Sequence, residues 1–74
     1  MKVVTVCLTQ VSQVQHFVNA MSQYPFDIDL ISGHYTVDAK SLLGIYSLDL
    51  SQPLQVVLHS DDTAEAEEVL RSYQ

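Results

Sequence analysis

Residues 39–48 read Ala-Lys-Ser-Leu-Leu-Gly-Ile-Tyr-Ser-Leu, and the fold turns on how this stretch is read. From Lys40 to Leu50 the apolar spacing has a helical rather than a strand period, with Ser41 placed as N-cap and Gly44 weakening the interior. The result is a short helix. Ile45, Leu48 and Leu50 can pack toward a sheet, which leaves Leu42, Leu43 and Tyr46 pointing elsewhere. Apolar side chains left over in this way suit a docking patch, and they equally suit a small core that wraps around the helix. Ser41 is likewise open to two readings. It is a simple cap, or a phosphoacceptor whose phosphate would place about −1.5 to −2 charge units at a helix start.

Working outward, Phe26, Ile28 and Leu30 alternate with Asp27 and Asp29, Ser32-Gly33-His34 makes a turn, and Tyr35 to Asp38 resumes the alternation. This is a β-hairpin. Before it, Val11, Val14, Phe17, Val18 and Met21 line one face of an amphipathic helix. Ser12 with Gln15 offers a capping box, Thr9 competes as a cap, and Tyr24-Pro25 ends the helix. Lys2 to Leu8 is rich in β-branched residues and suits a strand. On the other side, Leu54 to His59 alternates as a strand after Pro53. Asp62-Thr-Ala-Glu65 then forms a capping box that opens a helix with Ala66, Val69, Leu70 and Tyr73 on its apolar stripe.

The order is β-α-β-β-α-β-α, an α+β chain. Each strand has one apolar face and each helix one apolar stripe. The economical solution is a four-stranded, mostly antiparallel sheet with the three helices on one face. A ferredoxin-like ligand-binding fold shares the β-α-β-β-α-β order, but the short second helix and the additional terminal helix count against it.

At 74 residues, the chain is expected to be a single domain, residues 1–74, with a small core. Nine acids against three bases give a net charge of −6, which excludes phosphate-backbone binding and leaves no nucleic acid among the expected partners. No secretory leader and no membrane-length apolar run are visible, so the expected location is cytoplasmic and no membrane is expected. His16, His34 and His59 sit at no metal-ligand spacing and read as isolated imidazoles. The lone Cys7, flanked by Val6 and Leu8 with no cation nearby, is expected to be buried and structural. Asp27 and Asp29 share a solvent-facing strand face, and Asp61, Asp62 and Glu65 suit a helix start. With only Gly33 and Gly44 there is no phosphate-cradling loop, and no carboxylate pair faces a cleft, so neither an enzyme nor a cofactor is expected.

The 39–48 string, with Phe17-Val18 in the first helix and the same element order on both sides, resembles the HPr family. These are the small phosphocarriers of the bacterial sugar phosphotransferase system, in which a serine opens the short second helix. The resemblance covers nearly the whole chain and implies an open-faced β-sandwich. It implies Ser41 as the phosphorylated residue, with HPr kinase/phosphorylase or a transcriptional regulator as protein partner. It also implies a partner surface of Gln10, Lys40, Leu42, Leu43 and Tyr46.

The departures carry as much weight. Family members lead into the first helix with Gly-Leu-His-x-Arg-Pro-Ala, whose histidine takes the phosphoryl group. Aligned back from Phe17-Val18, this chain has Leu8-Thr9-Gln10-Val11-Ser12-Gln13-Val14. Gln10 falls at the histidine position, Ser12 at the arginine and Gln13 at the proline. A carboxamide is no substitute for an imidazole nucleophile, and the missing arginine removes a cation that would balance phosphate. The resemblance is therefore to a divergent, Crh-like member without a histidine relay. Crh-like proteins keep the arginine and proline absent here, which counts against the family's repressor contact. Two alternatives stand beside it: a domain that kept the fold and lost both phosphorylations, or a phosphocarrier that uses His16. The second is disfavoured because a helix interior lacks the free N–H donors of a helix start.

Overall fold

The computed structural model describes residues 1–74. The elements are β1 (Lys2–Val6), α1 (Val11–Met21), β2 (Ile28–Ser32), β3 (Tyr35–Asp38), α2 (Leu42–Tyr46), β4 (Leu54–Leu58) and α3 (Ala64–Leu70), and a 3₁₀ turn follows at Arg71–Tyr73. The four strands lie in the order β1-β4-β2-β3, and all three ladders are antiparallel. Because β1 and β2 each run antiparallel to β4, they are parallel to each other with β4 inserted between them, so β1-α1-β2 is a split β-α-β unit. The expected α+β sheet, with its three helices on one face, is the observed one.

Strand alternation decides which side chains face the helices. On β4, Leu54, Val56 and Leu58 are fully buried against them, and Val6 on β1 and Ile28 and Leu30 on β2 face the same way. From the helices come Val14, Phe17 and Met21 of α1, Ile45 of α2, and Ala66 and Leu70 of α3, all buried in the same cluster. Phe17 meets Tyr73 edge to face, with ring centres 5.6 Å apart, so the C-terminal turn closes the core beneath α1. The other face of the sheet has no helical layer. Two rows cross it: Val3, Val57, Asp29 and Asp38, then Thr5, Gln55, Ile31 and Thr36. The β2–β3 connection is the two-residue turn Gly33-His34, where Gly33 has φ +58°. A hairpin loop with positive φ at its first central position favours glycine there.

Element ends differ from the sequence expectations for local reasons. β1 stops at Val6 because the Cys7 N–H leaves the ladder and donates to the Tyr73 carbonyl at 2.7 Å. The cap of α1 is Gln10, not Ser12 or Thr9. Gln13 reaches back so that its Oε1 accepts from the N–H groups of Thr9 (2.8 Å) and Gln10 (3.2 Å) and from the Thr9 hydroxyl (3.0 Å). This is the glutamine half of a capping box, set two residues earlier than Ser12-Gln15. The cap of α3 is Thr63 rather than Asp62. The Thr63 hydroxyl donates to Glu67 Oε2 at 2.6 Å, while the Asp62 N–H is taken by Ser60 Oγ at 3.1 Å.

Candidate functional site

Ser41 and the residues around it form the most constructed part of the helical face. Ser41 has extended backbone angles, and its Oγ accepts a hydrogen bond from the Gly44 N–H at 3.2 Å, which makes it the N-cap of α2. Gly44 packs closely there. A Cβ at that position would stand 3.2 Å from Ser41 Oγ and 3.4 Å from Val37 Cβ. The Ser41 N–H donates to the Asp38 carbonyl at 3.0 Å, so α2 starts directly off the end of β3.

Of the leftover apolar residues of α2, Leu43 is 82 % exposed and Tyr46 39 % exposed. Leu42 departs from expectation. It is half-buried against the core and lines an open cleft of about 220 Å³ with Gln15, Val18 and Asn19 of α1. A helix of five residues sweeps through little more than one turn, and the α1 packing draws Leu42 inward. Val11 at the start of α1 is 62 % exposed rather than part of the buried stripe, because Val14, Phe17 and Met21 already fill the space over the sheet. Gln10 is exposed, and no hydrogen bond joins it to Ser41.

Lys40 directly precedes Ser41 in the chain. Its ammonium is turned away to donate to the carbonyls of Tyr24 (2.6 Å) and Phe26 (2.8 Å), which pins the segment after α1. The remaining bases pair with α3: Lys2 with Glu67 at 3.7 Å and Arg71 with Glu68 at 3.3 Å. No arginine or free lysine therefore stands at the start of α1 or α2.

The acidic and imidazole groups bring two corrections. His59 is not isolated, since its Nε2 lies 2.8 Å from Asp29 Oδ2 across the β4–β2 ladder. Asp38 is the direct partner of Asp29 on β3, and these groups with Asp27 line an open cleft of about 420 Å³. Only the strand register brings them together; thirty positions of sequence between Asp29 and His59 concealed it. Cys7 is exposed rather than buried, because alternation turns Val6 and Leu8 inward and Cys7 outward. No group of three or more His, Cys, Asp or Glu side chains is arranged to hold a metal ion. No helix is long and apolar enough to cross a membrane. The Asp49 carboxyl is held below its usual range by the Ser51 hydroxyl and then the Ser51 N–H, which donates at 3.0 Å. Burial pushes the Tyr73 phenol up.

An antiparallel four-stranded sheet that carries three helices on one face, with a serine capping a short second helix beside exposed apolar residues, defines the open-faced β-sandwich class of small phosphocarriers. The family profile described as the PTS HPr component phosphorylation site matches residues 9–72. The chain belongs to the HPr family of the phosphotransferase system. Its fold is similar to HPr-C-His from Thermoanaerobacter tengcongensis, with a TM-score of 0.82 and 29% identity over 97% of this chain and 89% of that one. It is also similar to the phosphocarrier protein HPr from Bacillus anthracis, with a TM-score of 0.76 and 30% identity over 99% of this chain and 94% of that one. No curated protein matches it by sequence. HPr proteins are phosphocarriers rather than enzymes, and they act through other proteins of the phosphotransferase system.

Proposed function

We propose that this chain is a regulatory HPr homologue that does not relay phosphate through histidine and that takes phosphate, if on any side chain, on Ser41. The observation that carries this reading is the start of α1. The exposed side chain there is the carboxamide of Gln10. The three imidazoles lie elsewhere: His16 within α1, His34 in the hairpin turn, and His59 at the end of β4 against Asp29. A carboxamide nitrogen, its lone pair delocalised into the carbonyl, does not displace a phosphoryl group.

Ser41 supports the regulatory half. Its hydroxyl opens α2 next to exposed Leu43 and Tyr46, so a phosphoester on Oγ would put about −1.5 to −2 charge units at the edge of an otherwise apolar surface. The transfer from ATP would break the bond between the γ-phosphorus and its bridging oxygen, release ADP and pass the serine proton to a base of the kinase. The partner surface is Gln10, Leu42, Leu43 and Tyr46. Lys40 acts on it indirectly, through the segment it pins. The proposed partners are an HPr kinase/phosphorylase and a transcriptional regulator, in the cytoplasm.

A second reading has one observation in its favour: the Ser41 hydroxyl is half-buried and already occupied as a cap. Under it, the chain keeps the fold as an interaction domain and Ser41 is a cap alone. Intact mass with site mapping separates the readings. The chain is incubated with HPr kinase and ATP, and in parallel with enzyme I and phosphoenolpyruvate. Phosphate on Ser41 in the first reaction alone is the expected result. Phosphate in the second would overturn the assignment of Gln10 and direct attention to His16. No phosphate in either would leave the capping role only.

A further inference from the structure

Away from the α1 start and α2, the segment Tyr24-Pro25-Phe26 faces residues 60–66 across an open cleft of about 310 Å³. On one side the rings of Tyr24 and Phe26 stack, with centres 5.6 Å apart and planes inclined by 26°. On the other stand Ser60 and the carboxylates of Asp62 and Glu65. All three ion pairs of the chain lie elsewhere, at Lys2–Glu67, His59–Asp29 and Arg71–Glu68, so neither carboxylate has a cationic partner. Glu65 lines the same cleft as Tyr24, whose phenol is pushed up by burial and then by the negative charge of Glu65.

We propose that this cleft is a recognition site for a single arginine side chain presented by a partner protein. A planar guanidinium stacks on an aromatic face and offers forked N–H donors to carboxylates, and this cleft supplies both requirements together. The Lys40 ammonium binds the Tyr24 and Phe26 carbonyls, which fixes the backbone that carries both rings. The net charge of −6 adds attraction for a basic partner at longer range. Because the cleft shares no wall with Leu42, Leu43 or Tyr46, the proposal does not depend on phosphorylation of Ser41.

The test is an amide NMR titration of the whole chain at low salt with N-acetyl-arginine-N-methylamide, with the lysine counterpart as a parallel probe. The expected result is saturable shifts concentrated on residues 24–26 and 60–66, with weaker binding of the lysine compound. Glu65→Gln and Tyr24→Leu should each weaken the arginine compound by about threefold to tenfold. Glu65 is exposed and Tyr24 is half-buried against the core, and the spectrum of each variant without ligand shows whether it is folded. Asp29→Asn serves as a charge-matched control and should leave the affinity unchanged. Three outcomes would overturn the proposal: shifts spread evenly over all acidic surfaces, equal binding of the lysine compound, or the same loss in Asp29→Asn as in Glu65→Gln.

Discussion

Replacing Ser41 by alanine should destabilise the chain even where no kinase is present. The Ser41 Oγ is the one side-chain acceptor at the start of α2, and the Gly44 N–H it satisfies is part-buried. Loss of a serine N-cap costs about 0.5–2 kcal/mol, and typically about 1. The bond is 3.2 Å long, toward the weak end of the normal range, which argues for the middle of that interval rather than its top. Total stability for 74 residues at about 0.05–0.15 kcal/mol per residue is about 4–11 kcal/mol. The cap is therefore a tenth to a quarter of the whole. For a chain of this size a change of about 1 kcal/mol moves the Tm by about 4–8 °C. Ser41→Asp keeps an acceptor at the cap and adds a favourable charge at a helix start, so it should stay within about 0.5 kcal/mol of the parent. Urea unfolding followed by far-ultraviolet circular dichroism measures both, provided the m-values agree. A Ser41→Ala variant as stable as the parent would refute the capping argument. So would a Ser41→Asp variant as unstable as Ser41→Ala. In binding experiments the uncharged cap Ser41→Asn is the control: a partner lost by Ser41→Ala but kept by Ser41→Asn reports on the cap rather than on a charge at position 41.

Lys40→Met should remove two charge-assisted bonds and cost about 1–3 kcal/mol, with faster amide exchange confined first to residues 22–28; unchanged exchange there would show that the ammonium does not pin the segment. Asp49 should titrate below its ordinary value in a carboxyl-carbon NMR titration, and Ser51→Ala should raise it. The sign follows from linkage: a carboxyl depressed on folding adds stability above its unfolded pKa of 3.8 and loses it as pH falls through the folded value. No movement of Asp49 in Ser51→Ala would remove Ser51 as the cause. Native Cys7 should react with a thiol reagent as fast as a model peptide within a few-fold, whereas reaction only on unfolding would contradict its outward placement.

By itself, the sequence determined the order of elements, the α+β class and the side of each element that meets the core. These follow from periodicity, and periodicity is local: Val14, Phe17 and Met21 on α1 and Leu54, Val56 and Leu58 on β4 are buried as their spacing demands. Ser41 was legible as a cap for the same reason, since a cap and its amide lie within one turn. The resemblance to the HPr family was also open to reading in one dimension, and the family match over residues 9–72 agrees with it. What tertiary structure decided were matters of pairing at a distance. Lys40 found its partners at a distance, because carbonyls sixteen and fourteen residues earlier lie within reach of its ammonium. His59 met Asp29 only through the β4–β2 register. Leu42 turned inward because α1 happened to lie beside it. The cleft between Tyr24–Phe26 and Asp62–Glu65 belongs with these, being formed by two segments that only the closed sheet brings face to face. Local rules set which way a side chain can point, and long-range packing sets what it finds there.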